Sequence, residues 1–207
     1  MTPRALKTSI RDVRRRDLEE AALLTLQEYG FSGTTIARIA ARLGMSPGIV
    51  HHYYRSKDEL LEAAIRYANA LLTREVIARL QLARTPRERL TAVIEGQFAE
   101  PAFTRGVTQA WVSFQAQVPF SPQFARINTL IQRRLRSNLM HALKDIMPRE
   151  KAAKVAEEIA ILIDGLWMRH AVKEGGITHE GALRLLNDYL DCALRDARER
   201  GRGSCAA

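Results

Sequence analysis

The chain has 207 residues, of which 46% are hydrophobic, 27% charged and only 6% aromatic, with a formal charge of +9. These are the proportions of a soluble globular protein with a core of Ala, Leu, Ile and Val, arranged as one large domain or a small one joined to a larger one. The longest apolar run, Ile159 to Ile163, falls far below a membrane span. The first residues also lack the apolar stretch of a signal peptide, so a cytoplasmic protein with no membrane partner is expected. Cys192 and Cys205 show no paired or metal-like spacing, which excludes a disulfide framework and a cysteine metal site.

Positive charge is concentrated at the start. Residues 1–57 hold ten Lys/Arg against five Asp/Glu, whereas the remainder holds 22 against 18. Such an excess suits a polyanion, although a solvated basic surface would look the same. Met1 to Ser9, with Arg4 and Lys7, read as a basic arm that either reaches a minor groove or is simply a tail. From Arg11 to Tyr29 the spacing of Leu18, Ala22, Leu26 and Tyr29 predicts a helix, and Arg14, Arg15 and Arg16 precede its apolar stripe. Gly30 ends it, and Phe31-Ser32-Gly33 forms a turn.

Thr34 or Thr35 caps the next helix, in which Ile36, Ile39, Ala40 and Leu43 fall at i, i+3, i+4 and i+7. Its free N–H groups at Thr34 and Thr35 make a ready phosphate site, which places both threonines among the DNA-facing residues. Gly44 stops this helix and Ser46-Pro47 starts another, with Pro at the first helical position. Two short helices joined by a tight turn containing Gly are the helix-turn-helix signature. At about 100° per residue, Ile49, Val50 and Tyr53 of the second helix gather on a core-facing side. Gly48 and His51 point outward, with Pro47 and His52 on the flanks. A small residue beside hydrogen-bonding rings suits a DNA major groove. Ser56-Lys57-Asp58-Glu59 is a capping box that opens a helix free of breakers to about Leu82, and Lys57 adds a cation near the phosphate site.

Thr85-Pro86-Arg87-Glu88 opens a fifth helix to about Ala99, Pro101 interrupts, and a short sixth helix carries Ala110, Trp111 and Phe114 to Gln117. Ser121-Pro122 caps a seventh helix to about Leu143, whose Arg133-Arg134-Leu135-Arg136 run reads as a solvated or salt-bridged face. An eighth helix runs from Pro148 to about Val172. Val155, Ile159, Leu162 and Leu166 form one stripe on it, and Ala156, Ala160, Ile163 and Trp167 the next, which implies burial on more than one side. Gly175-Gly176 ends it. Thr178 caps a ninth helix with Ala182, Leu185, Leu186, Tyr189, Leu190 and Ala193 on one broad stripe, and the tail from Arg198 is expected to fray. The fold expected is all-α, of about nine helices. The last two either complete an internal core or form a four-helix interface with a second copy.

The aromatics Phe98, Phe103, Trp111, Phe114 and Trp167, with the carboxylate of Asp164, are what a quaternary ammonium ligand requires. Ordinary core packing is the alternative for each aromatic. Asp164, in the middle of so apolar a helix, needs a partner, either Arg169 or a group on a neighbouring helix.

The run Gly30, Thr34, Ile39-Ala40, Gly44, Ser46, Gly48, Tyr54, Lys57 and Leu60 resembles the DNA-binding domain of the TetR family of repressors. Further matches at Ser9-Ile10, Arg14-Arg15-Arg16, Gly48-Ile49, His52-Tyr53, Leu60 to Ala63, Ala110-Trp111, Phe114, Arg133 to Leu135, Ser137 to Leu139 and Leu162 to Trp167 resemble its choline-responsive BetI-type branch. The resemblance implies a helix-turn-helix domain over 1–57 and an effector-binding and dimerisation domain over 58–207. It also implies phosphate contacts from Thr35, Tyr53 and Lys57, a backbone contact from the first helix at Arg15, and dimerisation through the last helices. The order His52-Tyr53-Tyr54 departs from the general family, which usually has an aromatic followed by His before the final aromatic. Gln115 stands where the choline-responsive branch has a second tryptophan.

The leading expectation is a homodimeric repressor on a palindromic double-stranded DNA operator, turned towards it with Ser46, Pro47, Gly48, His51 and His52, and released by choline or a related amine. Two recognition heads about one helical turn apart read such a site. The alternative is an architectural or division factor that uses the same fold without an effector. An enzyme is not expected: HExxH, Gly-rich phosphate-loop and GxSxG motifs are lacking, and adjacent His51 and His52 point to different faces, so neither a cofactor nor a metal is implied.

Overall fold

A computed structural model describes residues 9–100, 102–172 and 176–203, with side chains as far as 195. Among the described residues there are nine α-helices, one short 3₁₀ turn and no strand, as expected. The expected arm before Ser9, the interruption at Pro101, Gly175 and Cys205 lie outside the described residues.

The chain packs as two compact units, residues 1–70 and 71–207. In the first, α1 spans Ile10–Gly33, α2 Ile36–Arg42 and α3 Pro47–His51, and α4 (Lys57–Leu82) begins here and ends in the second unit. The boundary between the two compact units falls inside α4, whose Leu60, Leu61, Ala64 and Ile65 are buried.

Capping explains where these helices start. Ser9 and Asp12 close a reciprocal capping box on α1, the Asp12 amide donating to Ser9 Oγ at 3.1 Å and the Ser9 amide to Asp12 Oδ2 at 3.2 Å. The Ser9 hydroxyl holds the Asp12 carboxyl below the ordinary carboxylate range. At Gly30 the backbone takes φ +65°, breaking the helical path, and one further turn follows to Gly33. Gly44 takes the same φ at the end of α2. There the Gly44 amide donates to the Ala41 carbonyl at 3.1 Å and the Met45 amide to the Ala40 carbonyl at 2.9 Å, a Schellman stop.

In the second unit α5 spans Pro86–Gln97, α6 Arg105–Gln115, α7 Pro122–Leu143, α8 Arg149–Val172 and α9 His179–Gly203, with the 3₁₀ turn Val118–Phe120 before α7. Thr85 caps α5 as expected and closes a reciprocal box with Glu88, Ser121 caps α7, and the Gly181 amide donates to Thr178 Oγ1 at 3.0 Å. α9 continues as helix to Gly203, past the point where fraying was expected.

α8 is the central element, packed against α6, α7 and α9, while α5 packs against α7 and α9. Val155, Ile159, Ile163, Leu166 and Trp167 of α8 join Leu90, Val93 and Ile94 of α5, Leu135 and Leu139 of α7, and Leu186 and Leu190 of α9 in one core. Each such side chain contributes about 1.5–3 kcal/mol. Gly96 lets α5 and the end of α4 approach closely, since a Cβ there would lie 2.5 Å from Val76 Cγ2.

Both stripes predicted on α8 turn inward, with Leu162 and Ala160 at their margins. The apolar residues left open on α8 are others. Ile161 (62% exposed), Met168 (47%) and Val172 (66%) share one face with Gly165. On α7 Leu135 is buried while Arg133, Arg134 and Arg136 are exposed, and Arg134 Nη1 donates to Thr73 Oγ1 at 2.8 Å.

Candidate nucleic-acid interface and effector site

The first unit holds every residue expected at DNA. Ser46, Pro47, Gly48, His51 and His52 are all exposed along α3 and its ends. Ser46 makes no side-chain capping bond, so its hydroxyl is not committed to the helix. A Cβ added at Gly48 would meet nothing nearer than Ser46 Oγ, at 3.9 Å. No packing among the described residues requires glycine at that position.

The inward side differs from the periodicity. Val50 is fully buried, but Ile49 is 42% exposed and Tyr53 only half-buried; the tyrosine that enters the core is Tyr54. The reason is the brevity of α3. After His51 the chain turns, and the amides of Tyr53 and Tyr54 both donate to the Val50 carbonyl, at 2.9 and 3.0 Å, which rolls Tyr54 inward. The Tyr54 hydroxyl donates to Glu19 Oε1 at 2.6 Å. Burial, then this bond to a carboxylate, raises its pKa well above the ordinary value.

Two expected cations are held in place by aromatic rings. The Arg15 guanidinium lies 4.4 Å from the Tyr54 ring centroid and donates to the Tyr53 carbonyl at 3.2 Å. Lys57 Nζ lies 4.5 Å from the Phe31 ring centroid and donates to its carbonyl at 3.3 Å. The sequence reading overlooked a third such pair: Arg38 of α2 lies over the Tyr29 ring at 4.3 Å and donates to the Gly33 carbonyl. Its signal was present as an arginine one turn after the Thr35 cap.

The two threonines separate in role. Thr35 is exposed and caps α2, accepting from the Arg38 amide at 3.2 Å. Thr34 is fully buried, and its hydroxyl donates to the Gly30 carbonyl at 2.6 Å. Its side chain therefore closes the end of α1 and does not face outward, a correction to its placement among the DNA-facing residues.

In the second unit the expected aromatics form one continuous path. Phe98 meets Phe103 edge-on at 4.9 Å between centroids, Phe103 meets Trp167 at 5.9 Å, Trp167 meets Trp111 at 6.2 Å, and Trp111 meets Phe114 at 5.3 Å. Two members were missed by the sequence reading. Phe124 of α7 meets Phe114 at 5.6 Å, and His170 stacks on Phe103 at 4.3 Å, one turn beyond Trp167. Trp167 Nε1 donates to the Gln97 carbonyl at 3.2 Å, which satisfies a carbonyl at the end of α5 and fixes the indole.

Asp164 is partnered by a neighbouring helix and not by Arg169: Gln132 Nε2 of α7 donates to its Oδ2 at 3.2 Å. The residue is open to solvent at its surface, yet protein crowding around the carboxyl raises its pKa above the ordinary 3.8, against the opposing effect of Gln132. Gln115 is half-buried as the last residue of α6. An open cleft of about 430 Å³, lined by Thr85, Arg87, Ile146, Asp191 and their neighbours, contains none of the expected effector residues. Among the described residues no cluster of His, Cys, Asp and Glu could hold a metal ion, and no helix is long and apolar enough to cross a membrane.

Comparison with known proteins agrees with this arrangement. Residues 18–64 match the model of bacterial regulatory proteins of the tetR family, and residues 86–195 match that of the BetI-type transcriptional repressor C-terminal domain. The HTH-type transcriptional regulator BetI of Burkholderia cenocepacia is 39% identical over 193 residues, covering 91% of this chain and 97% of that one. Its counterpart in Rhizobium meliloti is 36% identical over 189 residues, covering 91% and 93%. Among solved structures, a putative transcriptional regulator from Pseudomonas aeruginosa PAO1 shares the fold with a TM-score of 0.79 at 24% identity, over 91% of this chain and 94% of that one. A putative transcriptional regulator from Saccharomonospora viridis, in complex with choline, has a TM-score of 0.75 at 23% identity, over 86% and 96%. With a helix-turn-helix head in its first unit and a BetI-type second unit, the chain belongs to the TetR family of DNA-binding transcriptional regulators and is a BetI-type repressor rather than an enzyme.

Proposed function

We propose that the protein is a homodimeric repressor that binds a palindromic operator through α3 and is released by a small choline-like cation bound in its second unit. The observation that carries the DNA side is the outer face of α3. Ser46, Pro47, Gly48, His51 and His52 are exposed together, and no packing among the described residues needs the glycine. A helix whose backbone can come close to a groove, flanked by hydrogen-bonding rings, reads base edges directly. Thr35 at the start of α2, Tyr53, and the ring-anchored Arg15 and Lys57 supply backbone contacts that set the register. Thr34 is left out, and Arg38 joins the set.

Residues 1–57 act as the reading head, and residues 58–207 as the effector-binding and dimerisation domain. The open apolar face of α8, with Ile161, Gly165, Met168 and Val172, supports pairing with a second copy, together with Leu185 of α9. A twofold dimer carries two heads, as a palindrome demands. The aromatic path from Phe98 to Phe114, with Asp164 one turn from Trp167, supports a quaternary ammonium effector, and the structural neighbour from Saccharomonospora viridis in complex with choline points the same way. Release requires that the effector bind the conformation unable to grip DNA more tightly than the one that grips it.

The test of the reading head is the double variant His51→Ala/His52→Ala. Both rings are exposed, so far-ultraviolet circular dichroism is expected to be unchanged while specific binding to the upstream DNA is lost. Retention of specific binding would overturn the assignment of α3.

A further inference from the structure

Within the second unit the contacts close into a circuit. Phe124 of α7 touches Phe114 of α6 at 5.6 Å, and Phe114 leads through Trp111 to Trp167 of α8 at 5.3 and 6.2 Å. Asp164 lies one helical turn from Trp167 and returns to α7 by accepting from Gln132 at 3.2 Å. Between Phe124 and Gln132, four residues from each and on the same face of α7, stands Asn128. Its Oδ1 is buried and accepts no hydrogen bond. Phe124 reaches across to α6 and Gln132 to α8, so the half-buried Asn128 lies on the face of α7 that meets these helices. A buried amide oxygen left unsatisfied is costly, and native structures retain one where a ligand or water completes it.

We infer that Asn128 is a specificity residue of the effector site, accepting a hydrogen bond from the hydroxyl of a small quaternary amino alcohol whose cationic head lies against the aromatic arc. The inference rests on the effector reading above and adds to it a requirement: the ligand must carry a hydrogen-bond donor at the end remote from its charge. An acceptor-only tail such as a carboxylate would set acceptor against acceptor at the Asn128 oxygen. A cation with a methyl group in place of the hydroxyl would bury the orphan without satisfying it.

The experiment is isothermal titration of the full-length protein with choline, its isostere propyltrimethylammonium and glycine betaine, repeated with Asn128→Leu and Asn128→Asp. Melting curves verify that each variant is folded. The wild type is expected to favour choline over propyltrimethylammonium about tenfold, the worth of one net hydrogen bond, and to bind glycine betaine more weakly still. Asn128→Leu keeps the volume without the acceptor and is expected to bring the two alkyl cations to equal affinity. Asn128→Asp keeps an acceptor and is expected to retain the preference. An undiminished choline preference in Asn128→Leu, equal affinities in the wild type, or a preference for glycine betaine would each overturn the role of Asn128 while leaving a cation site standing. Absence of binding by all three cations would remove the cation site and this role together.

Discussion

Replacing Gly48 with alanine separates the needs of the fold from the needs of DNA. The added Cβ has no neighbour closer than Ser46 Oγ at 3.9 Å, and Gly48 does not have the positive φ of Gly30 and Gly44. Within the chain the change therefore removes only the entropic cost of glycine in a helix, about 0.5–1 kcal/mol. At about 2–4 °C per kcal/mol for a chain of this length, Tm is expected to rise by roughly 1–4 °C. At the operator the same methyl group enters the space through which the α3 backbone approaches the groove. An overpacked contact costs about 1–3 kcal/mol, and a dimer suffers it twice, so affinity is expected to fall at least thirtyfold or so. Differential scanning fluorimetry reads the first quantity, and fluorescence anisotropy with the upstream DNA at fixed salt reads the second. A Gly48→Ala protein that binds DNA as tightly as the wild type would refute the close approach, and with it the orientation proposed for α3.

Other substitutions probe the second unit. Gly96→Ala places a Cβ 2.5 Å from Val76 Cγ2 and 2.9 Å from its Cα. Because the backbone atom cannot step aside, a loss of about 1–3 kcal/mol and a Tm lower by about 3–10 °C are expected by calorimetry. Asp164 has a folded pKa above its ordinary 3.8, so the folded state holds the proton to higher pH than the unfolded chain. Stability is then greatest below that ordinary value and is lost as pH rises through the folded pKa. Denaturant titrations are expected to find Asp164→Asn more stable than the wild type at neutral pH, with the gap closing in acid; a gap that widens in acid would reverse the assignment. Met168→Glu adds a charge on the open face of α8, 47% exposed in the single chain, and is expected to leave the melt of the protomer intact. Sedimentation velocity is expected to show monomers in place of dimers, and operator binding to fall accordingly.

Much of the fold was legible because helix punctuation is local chemistry. Thr85 with Glu88, Ser121 with Pro122, and Gly44 each set an end through bonds spanning a few residues, and each appears where the sequence places it. Ser9 and Asp12 have the same spacing, but no apolar run follows them closely to mark a helix start. What escaped was set by tertiary context. Periodicity could not show that α3 ends at His51, so it assigned Tyr53 to the core in place of Tyr54. It found the apolar stripes of α8 but could not tell which neighbours would cover them, and the open face of Ile161, Met168 and Val172 lay outside both. Thr34 looked like a second cap, but its burial follows from the bend at Gly30, whose carbonyl it satisfies. The aromatic residues could be named individually, but their joining into one path, with Phe124 and His170 in it, depends on how α6, α7 and α8 pack.

The central claim is that DNA binding by the head and cation binding by the second unit are coupled. It is tested most directly by fluorescence anisotropy of a labelled duplex from the region upstream of the coding sequence, saturated with protein and then titrated with choline to millimolar concentration. The expected result is two protomers bound per site, followed by a saturable fall in anisotropy as choline is added, with sodium chloride at equal ionic strength producing no such fall. Specific binding that choline leaves unchanged would contradict the coupling and favour a DNA-binding factor of the same fold that answers to no effector.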